Sequence, residues 1–123
     1  MRIDVPDGEV VDRITILELK VRFLGPEKRV HAERELTGLQ AAWHDQLGVP
    51  LDTLAALPRL REVNAALWSV EDELRELERR AAFDDRFVAL ARSVYVLNDE
   101  RARLKAAISE ATGSRLREQK SYT

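Results

Sequence analysis

In the 123 residues of the chain, 45% are hydrophobic and 34% charged, whereas glycine (5) and proline (4) are scarce and cysteine does not occur. This composition suits one soluble domain and disfavours a β-sandwich, which needs a turn signal about every 8–12 residues. A net charge of −2 gives no general argument for binding nucleic acid, and the lack of cysteine excludes disulfides and Cys-ligated zinc. Without an apolar run of ~18 residues or a signal-peptide core, we expect a cytoplasmic protein with no membrane span.

The first third of the chain predicts a short extended segment and two helices. Polar and apolar residues alternate before the first turn, which predicts an extended segment over residues 1–6. Asp7 is predicted to cap the first helix. Apolar residues then recur at steps of three and four, at Val10, Ile14, Leu17, Val21 and Leu24. Gly25 is predicted to end this helix in a left-handed conformation, and Pro26 to begin a second, antiparallel helix that runs to about Leu47.

Two longer helices follow, and they carry the clearest apolar periodicity of the chain. Pro58 begins the third helix, Asp84 is predicted to cap the fourth, and Gly113 ends it. The steps of three and four, typical of a coiled coil, run through Leu60, Val63, Leu67, Val70, Leu74, Leu77 and Ala81, and then through Phe87, Leu90, Val94, Leu97, Leu104 and Ile108. The predicted fold is all-α: one domain over residues 1–123, an antiparallel helical bundle of two helical hairpins, with a polar tail over residues 114–123.

The sequence lacks the signatures of most enzyme classes. The histidines, His31 and His44, are 13 residues apart and form no metal-binding pair. Neither a Gly-rich phosphate loop nor a hydrolase serine elbow is present. Helical pyrophosphohydrolases need two acidic pairs for magnesium, and Glu73 with Glu76 supplies one, whereas Val96 stands where the other needs a glutamate. The basic residues also lack the spacing of helical chorismate mutases. From these missing signatures together, we expect no metal, no cofactor and a non-enzymatic role.

Several polar residues interrupt the predicted apolar faces, where burial costs free energy unless the polar groups are paired. Arg101 lies on the apolar face of the fourth helix between Leu97 and Leu104, and Glu18 lies among apolar residues of the first helix. These two and their predicted neighbours are the candidate ligand-binding residues: Glu18, Trp68, Glu71, Asp72, Tyr95, Asn98, Asp99, Arg101 and Lys105. The pattern assigns no catalytic residue.

Two interpretations of this polar set remain open. In the first, Arg101 pairs with Glu18 or Glu71 inside the bundle and sets the register of its helices. The protein is then a protein-interaction or assembly module, a homo-oligomer or the partner of another protein. In the second, the set lines a cleft in which Arg101 and Lys105 bind a small anionic group. The protein is then a small-molecule or sugar-phosphate binding protein, or an enzyme.

Four segments of the chain resemble a bacterial family of short helical proteins of unknown function. They are VVDRITILELK (10–20), VNAALWSVEDELRE (63–76), FVALARSVYVLNDERARLK (87–105) and the closing KSY (120–122). The family shares an Ile-Thr-Ile-Leu-Glu helix, Leu-Trp with Glu-Asp, Val-Tyr with Asn-Asp and a C-terminal Lys-Ser-Tyr. These motifs contain most of the polar candidates and add Asp12, Thr15, Lys120, Ser121 and Tyr122. The resemblance implies no activity.

Overall fold

The computed structural model describes residues 1–113, which form four α-helices and one short 3₁₀ turn. The bounds are Asp7–Phe23 for α1, Pro26–Leu47 for α2, Leu51–Thr53 for the 3₁₀ turn, Leu57–Arg79 for α3 and Asp85–Thr112 for α4. The described part of the chain contains no strand, which confirms the all-α prediction. The predicted polar tail, with Lys120, Ser121 and Tyr122, lies outside the described residues.

Helix α1 is the central element, because it packs against each of the other three helices. Leu24 and Gly25 alone join it to α2, and residues 80–84 join α3 to α4. Connections this short make successive helices antiparallel neighbours. The two predicted hairpins are therefore present, and α1 holds them together.

The core lies at the end of the bundle where α1 and α3 begin and α4 finishes. One apolar cluster there contains Val11, Trp43, Leu54, Leu57, Leu60 and Ile108, all buried. Trp43 brings α2 into this cluster, and its indole N–H donates a hydrogen bond of 2.7 Å to the carbonyl oxygen of Val49. Each fully buried side chain of this size contributes about 1.5–3 kcal/mol relative to an exposed one. This end of the bundle therefore contributes a large part of the apolar stabilisation.

The other end of the α3–α4 hairpin is far less covered. Between Asp85 and Ala107, α4 contains no buried residue, and after Leu67 only Leu77 is buried in α3. Helix α1 has 17 residues and α4 has 28, or about 26 and 42 Å at 1.5 Å per residue, so the hairpin extends beyond α1. The apolar residues of this outer half are half-exposed. Within the described residues, no helix has an apolar stretch that could cross a lipid bilayer.

The ends of α4 agree with the predictions from sequence. The Asp84 carboxylate accepts a hydrogen bond of 3.3 Å from the backbone N–H of Phe87, which confirms Asp84 as the N-cap. Gly113 adopts the left-handed conformation, with φ of 71°, after the last turn. Both features are local, since a capping side chain and a left-handed glycine act on the adjacent turn alone.

Two predictions for the first hairpin are wrong. Gly25 is extended, with φ of −67° and ψ of 167°, because the residue before a proline is kept out of helical conformations, and Pro26 follows it. Asp7 is the first residue of α1 instead of its cap, which is Pro6. The Asp7 carboxylate instead accepts a hydrogen bond of 2.6 Å from Thr112 Oγ1 at the end of α4.

Candidate functional site

A buried polar cluster joins three helices in the middle of the bundle. It consists of Asp12 and Thr15 of α1, Asn64 of α3 and Arg101 of α4, and we call it the Asp12 cluster. Asp12 is 1% exposed, whereas the side chain of Arg101 is 28% exposed. The carboxylate is thus buried, and the guanidinium lies between it and the protein surface.

The members of the Asp12 cluster satisfy one another. Arg101 donates from Nε to Asp12 Oδ1 at 2.9 Å and from Nη2 to Asp12 Oδ2 at 2.6 Å, a bidentate pairing. The Asn64 amide donates to Asp12 Oδ1 at 2.9 Å and to Thr15 Oγ1 at 2.7 Å. The Thr15 hydroxyl donates to the Asp12 carbonyl at 2.7 Å. Over residues 1–113, no buried side-chain nitrogen or oxygen lacks a hydrogen-bond partner, so the buried polar atoms of the cluster are all satisfied.

A close approach of α1 and α4 brings Asp12 opposite Arg101. The backbone N–H of Gly8 donates a hydrogen bond of 2.9 Å to Ser109 Oγ, across the two helices. A Cβ atom at Gly8 would lie 2.0 Å from the carbonyl oxygen of Lys105, which belongs to the α4 backbone. Glycine is the residue that permits such an approach. The contact lies one turn before Asp12 and fixes the register that the cluster needs.

Ion pairs surround the Asp12 cluster and engage two of the predicted site residues. Lys105 Nζ lies 2.6 Å from Glu9 Oε2, between α4 and α1. Arg61 of α3 donates to the two carboxylate oxygens of Glu18 at 3.1 and 3.0 Å, and these hydrogen bonds raise the pKa of Arg61. The structure therefore pairs Glu18 and Lys105 with separate partners on different helices.

The predicted partner of Arg101 is wrong. The sequence favoured Glu18 or Glu71, and the structure shows Asp12. Glu71 lies exposed on the outer half of α3, and Glu18 lies further along α1, where it reaches α3 instead of α4. The register of α1 against α4 decides the pairing, and this register depends on the backbone contact at Gly8.

The other candidates lie outside the Asp12 cluster. Trp68 stacks on Phe23, the last residue of α1, with ring centroids 5.8 Å apart. Asp72 and Tyr95 are exposed, and Asn98 and Asp99 are half-buried on α4. Of the nine candidate residues, Arg101 is therefore the one that belongs to the cluster.

The cluster members that the apolar pattern missed lie on a second buried face of α1. Asp12, Thr15 and Leu19 share this face, and the first face contains Val11 and Ile14. Both faces are buried because α1 packs against three helices, whereas a single apolar stripe assumes one covered side. The resemblance to a family did name Asp12 and Thr15, and no periodicity signal identified them.

The Arg59–Glu100 ion pair, beside the cluster, predicts how stability depends on pH. Arg59 donates to the Glu100 carboxylate at 2.6 and 2.7 Å, and these hydrogen bonds lower the pKa of Glu100. A carboxylate whose pKa is lowered in the folded state stabilises the fold at pH values above its ordinary pKa of 4.5. This contribution is lost as the pH falls through the pKa that the carboxylate has in the folded state. We expect Glu100→Gln to be less stable than the parent at neutral pH and to match it in acid, by urea unfolding.

A matched control is Glu78→Gln, since the Glu78 carboxylate forms no ion pair with another described residue. We expect its stability to follow the parent over the whole pH range. A deficit of Glu100→Gln that is the same in acid as at neutral pH would contradict the assignment to the Arg59 pairing.

A concave feature separate from the Asp12 cluster lies between the N-terminal segment, α2 and the end of α4. It is a cavity of about 780 Å³, with Trp43, Leu47 and Val5 on its apolar side and Asp4 and Asp7 as its charged residues. Among the described residues, no lysine or arginine lines this cavity. In the described part of the chain, no three His, Asp or Glu side chains come together as they would around a metal ion.

The sequence profile of one protein family matches residues 1–123, which is the whole chain. The chain belongs to DUF6165, a family of unknown function. Membership confirms the resemblance to an uncharacterised family and supplies no activity. No curated protein and no solved structure is significantly similar to the chain. A function for this member of the family has to be argued from its own surface and contacts.

Proposed function

We propose that this protein is a non-enzymatic helical module that binds a protein partner through the outer surface of its α3–α4 hairpin. The observation that supports the proposal is the exposure of large apolar side chains on α4. Tyr95 is 73% exposed, Val96 is 66% exposed, and Val88, about two helical turns before Tyr95 on the same side, is 49% exposed. Contiguous exposed apolar surface is typical of sites where proteins associate.

The outer half of the hairpin has the form of an incomplete bundle. Phe87, Leu90, Val94 and Leu97 continue the apolar period of α4, yet none is buried within this chain. Two helices alone cannot enclose such side chains, and helical bundles bury them by adding further helices. A partner that packs on the exposed side of α4 would remove the apolar area of Tyr95 and Val96 from water, at about 25 cal/mol for each Å².

The Asp12 cluster gives the hairpin a fixed orientation in this proposal. It ties α4 to α1 and α3 through the bidentate contact of Arg101 with Asp12 and the amide of Asn64. A surface that is already ordered loses little conformational entropy when it binds, which favours association. The cluster therefore acts at a distance from the contact surface, as a support for α4.

The alternative function, binding of a small anion or sugar phosphate at the polar set, has less support. The Nε and Nη2 atoms of Arg101 already donate to the carboxylate of Asp12 in bidentate geometry, and this carboxylate offsets the charge that an anion would need. Glu18 and Lys105 face other partners, at Arg61 and Glu9. The polar set thus resembles the register-setting network of the first interpretation more than a ligand cleft.

Photo-crosslinking from α4 tests the proposal. A photoreactive phenylalanine replaces Tyr95 in one variant and His31, an exposed residue of α2, in the control. We expect irradiation in cells to give one defined protein adduct from position 95 and none from position 31. The adduct should disappear when Val96→Asp is added, because a charge in the apolar contact costs binding energy.

The proposal fails if position 95 gives no adduct, or if both positions give the same adducts. A ligand-induced rise in the unfolding temperature with sugar phosphates, lost in a folded Arg101→Lys variant, would favour the alternative. Lysine keeps the positive charge but does not reproduce the bidentate geometry of arginine. This variant therefore distinguishes specific anion binding by the guanidinium from attraction by the positive charge alone.

A further inference from the structure

Building on the proposed interaction role, we infer that the partner is a second copy of this chain, and that two copies pair antiparallel through one face of α4. This face, which we call the α4 outer face, consists of Val88, Arg92, Tyr95, Val96, Asp99 and Arg103. Positions three, four and seven residues apart lie on the same side of a helix, so these side chains form one continuous strip.

The centre of the α4 outer face is formed by Tyr95 and Val96, two strongly exposed apolar side chains. Among residues 1–113, no large hydrophobic side chain within a helix is more exposed than Tyr95 or Val96. Val88, which precedes them on the same strip, is 49% exposed. Interface centres are typically rich in aromatic residues, and tyrosine combines apolar area with a polar tip that tolerates water.

Two of the three charges on the α4 outer face, those of Arg92 and Asp99, complement the same face turned end to end. When two α4 helices pair antiparallel about a two-fold axis between Tyr95 and Val96, Tyr95 of each copy opposes Val96 of the other. Arg92 then opposes Asp99 of the second copy, and symmetry repeats this pair on the other side of the axis. A two-fold interface requires such a self-complementary patch.

The two residues that would pair across the axis form no ion pair within the described chain. Neighbouring charges on the hairpin are engaged: Arg86 with Glu73, and Arg59 with Glu100. Arg92 and Asp99 have no ion pair with another described residue. Arg92 is exposed, so its guanidinium can reach a carboxylate on a second copy without breaking an existing contact.

The apolar centre and the charged flanks act differently in this dimer. Exposed ion pairs contribute little affinity, so the burial of Tyr95 and Val96 drives association. The two Arg92–Asp99 pairs favour the antiparallel register, because a parallel arrangement would bring like charges together and a shifted one would lose these pairs.

Charge reversal tests the inference. Arg92→Glu alone should place a second carboxylate opposite Asp99 of the other copy, and Asp99→Arg alone should place two arginines opposite each other. We expect either variant to raise the dimer dissociation constant at least about tenfold, measured by sedimentation equilibrium of the full chain. Mixing the two variants should restore a heterodimer of near-parental affinity, because both cross-axis pairs are then opposite in charge.

A control is Arg34→Glu on α2, where an equal change of charge should leave dimerisation unchanged. Circular dichroism and thermal unfolding would establish that each variant is folded. A parent that is monomeric at high micromolar concentration overturns the inference, and so does a dimer that neither charge reversal weakens, or single variants that do not recover on mixing.

The proposed interaction role and the inferred dimer can be refuted independently of each other. The chain has a mass of 14.0 kDa, so a crosslinked dimer from position 95 would have twice that mass. An adduct of any other mass, with a monomeric parent, would refute the second copy as partner and leave the interaction role standing. No adduct and no dimer would refute both.

Discussion

Replacing Asp12 with asparagine is expected to lower the free energy of unfolding by about 3–5 kcal/mol, as for other broken buried ion pairs. Asparagine has nearly the same shape, but it carries no charge and cannot accept both hydrogen bonds from the guanidinium of Arg101. The Asn64 amide also loses a charged acceptor. At about 4 °C for each kcal/mol in a chain of this length, the melting temperature should fall by roughly 12–20 °C.

The neighbouring residue Arg13 is the matched control. It forms an ion pair with Glu35 on α2, and both side chains are exposed. We expect Arg13→Ala to change the free energy of unfolding by less than about 1 kcal/mol, because solvent screens such pairs. Denaturation by urea measures both variants. An Asp12→Asn loss no larger than that of Arg13→Ala would show that the Asp12 cluster does not hold the helices together.

Replacing Gly8 with alanine is expected to lower the free energy of unfolding by about 1–3 kcal/mol, the usual cost of overpacking. The added Cβ would meet the Lys105 carbonyl oxygen at 2.0 Å, and a backbone atom cannot turn aside as a side chain would. Helices α1 and α4 would have to separate, which lengthens the hydrogen bond from Gly8 to Ser109. This effect acts inside one chain, so Gly8→Ala need not weaken the association of two copies.

Replacing Gly38 of α2 with alanine is expected to have the opposite effect on the free energy of unfolding. It lies in the interior of α2, and nothing is within 4 Å of a Cβ added there. We expect Gly38→Ala to raise the free energy of unfolding by about 0.8–1.0 kcal/mol, because alanine favours helix more than glycine does. Thermal and urea unfolding of the two alanine variants measure the contrast. Effects of the same sign at both positions would contradict the close contact at Gly8.

The helices could be predicted from the sequence because their signals are local. The predicted second helix, from Pro26 to about Leu47, agrees with α2, and the cap at Asp84 and the end at Gly113 agree with α4. Periodicity indicated which face of α4 is apolar, but a period cannot indicate whether another helix covers that face. The half-exposed outer hairpin is therefore a finding of the structure alone.

The site was less predictable, because it depends on contacts between distant parts of the chain. Arg101 was singled out correctly as a polar residue on an apolar face, and its partner Asp12 was not. The register that joins them comes from the Gly8 contact, and a single glycine leaves no periodic signal. Tyr95 and Asp99, which the sequence also predicts as ligand-binding residues, lie outside the Asp12 cluster, on the α4 outer face.

The contact between the first and last turns of the helical bundle has a consequence for synthesis of the chain. The hydrogen bond between Gly8 and Ser109 joins residues 101 positions apart in the sequence, and the one between Asp12 and Arg101 joins residues 89 positions apart. A nascent chain that has reached the end of α3 lacks the guanidinium of Arg101, which pairs with Asp12 in the complete bundle. The Asp12 cluster and the contact at Gly8 can therefore form only after α4 has been synthesised.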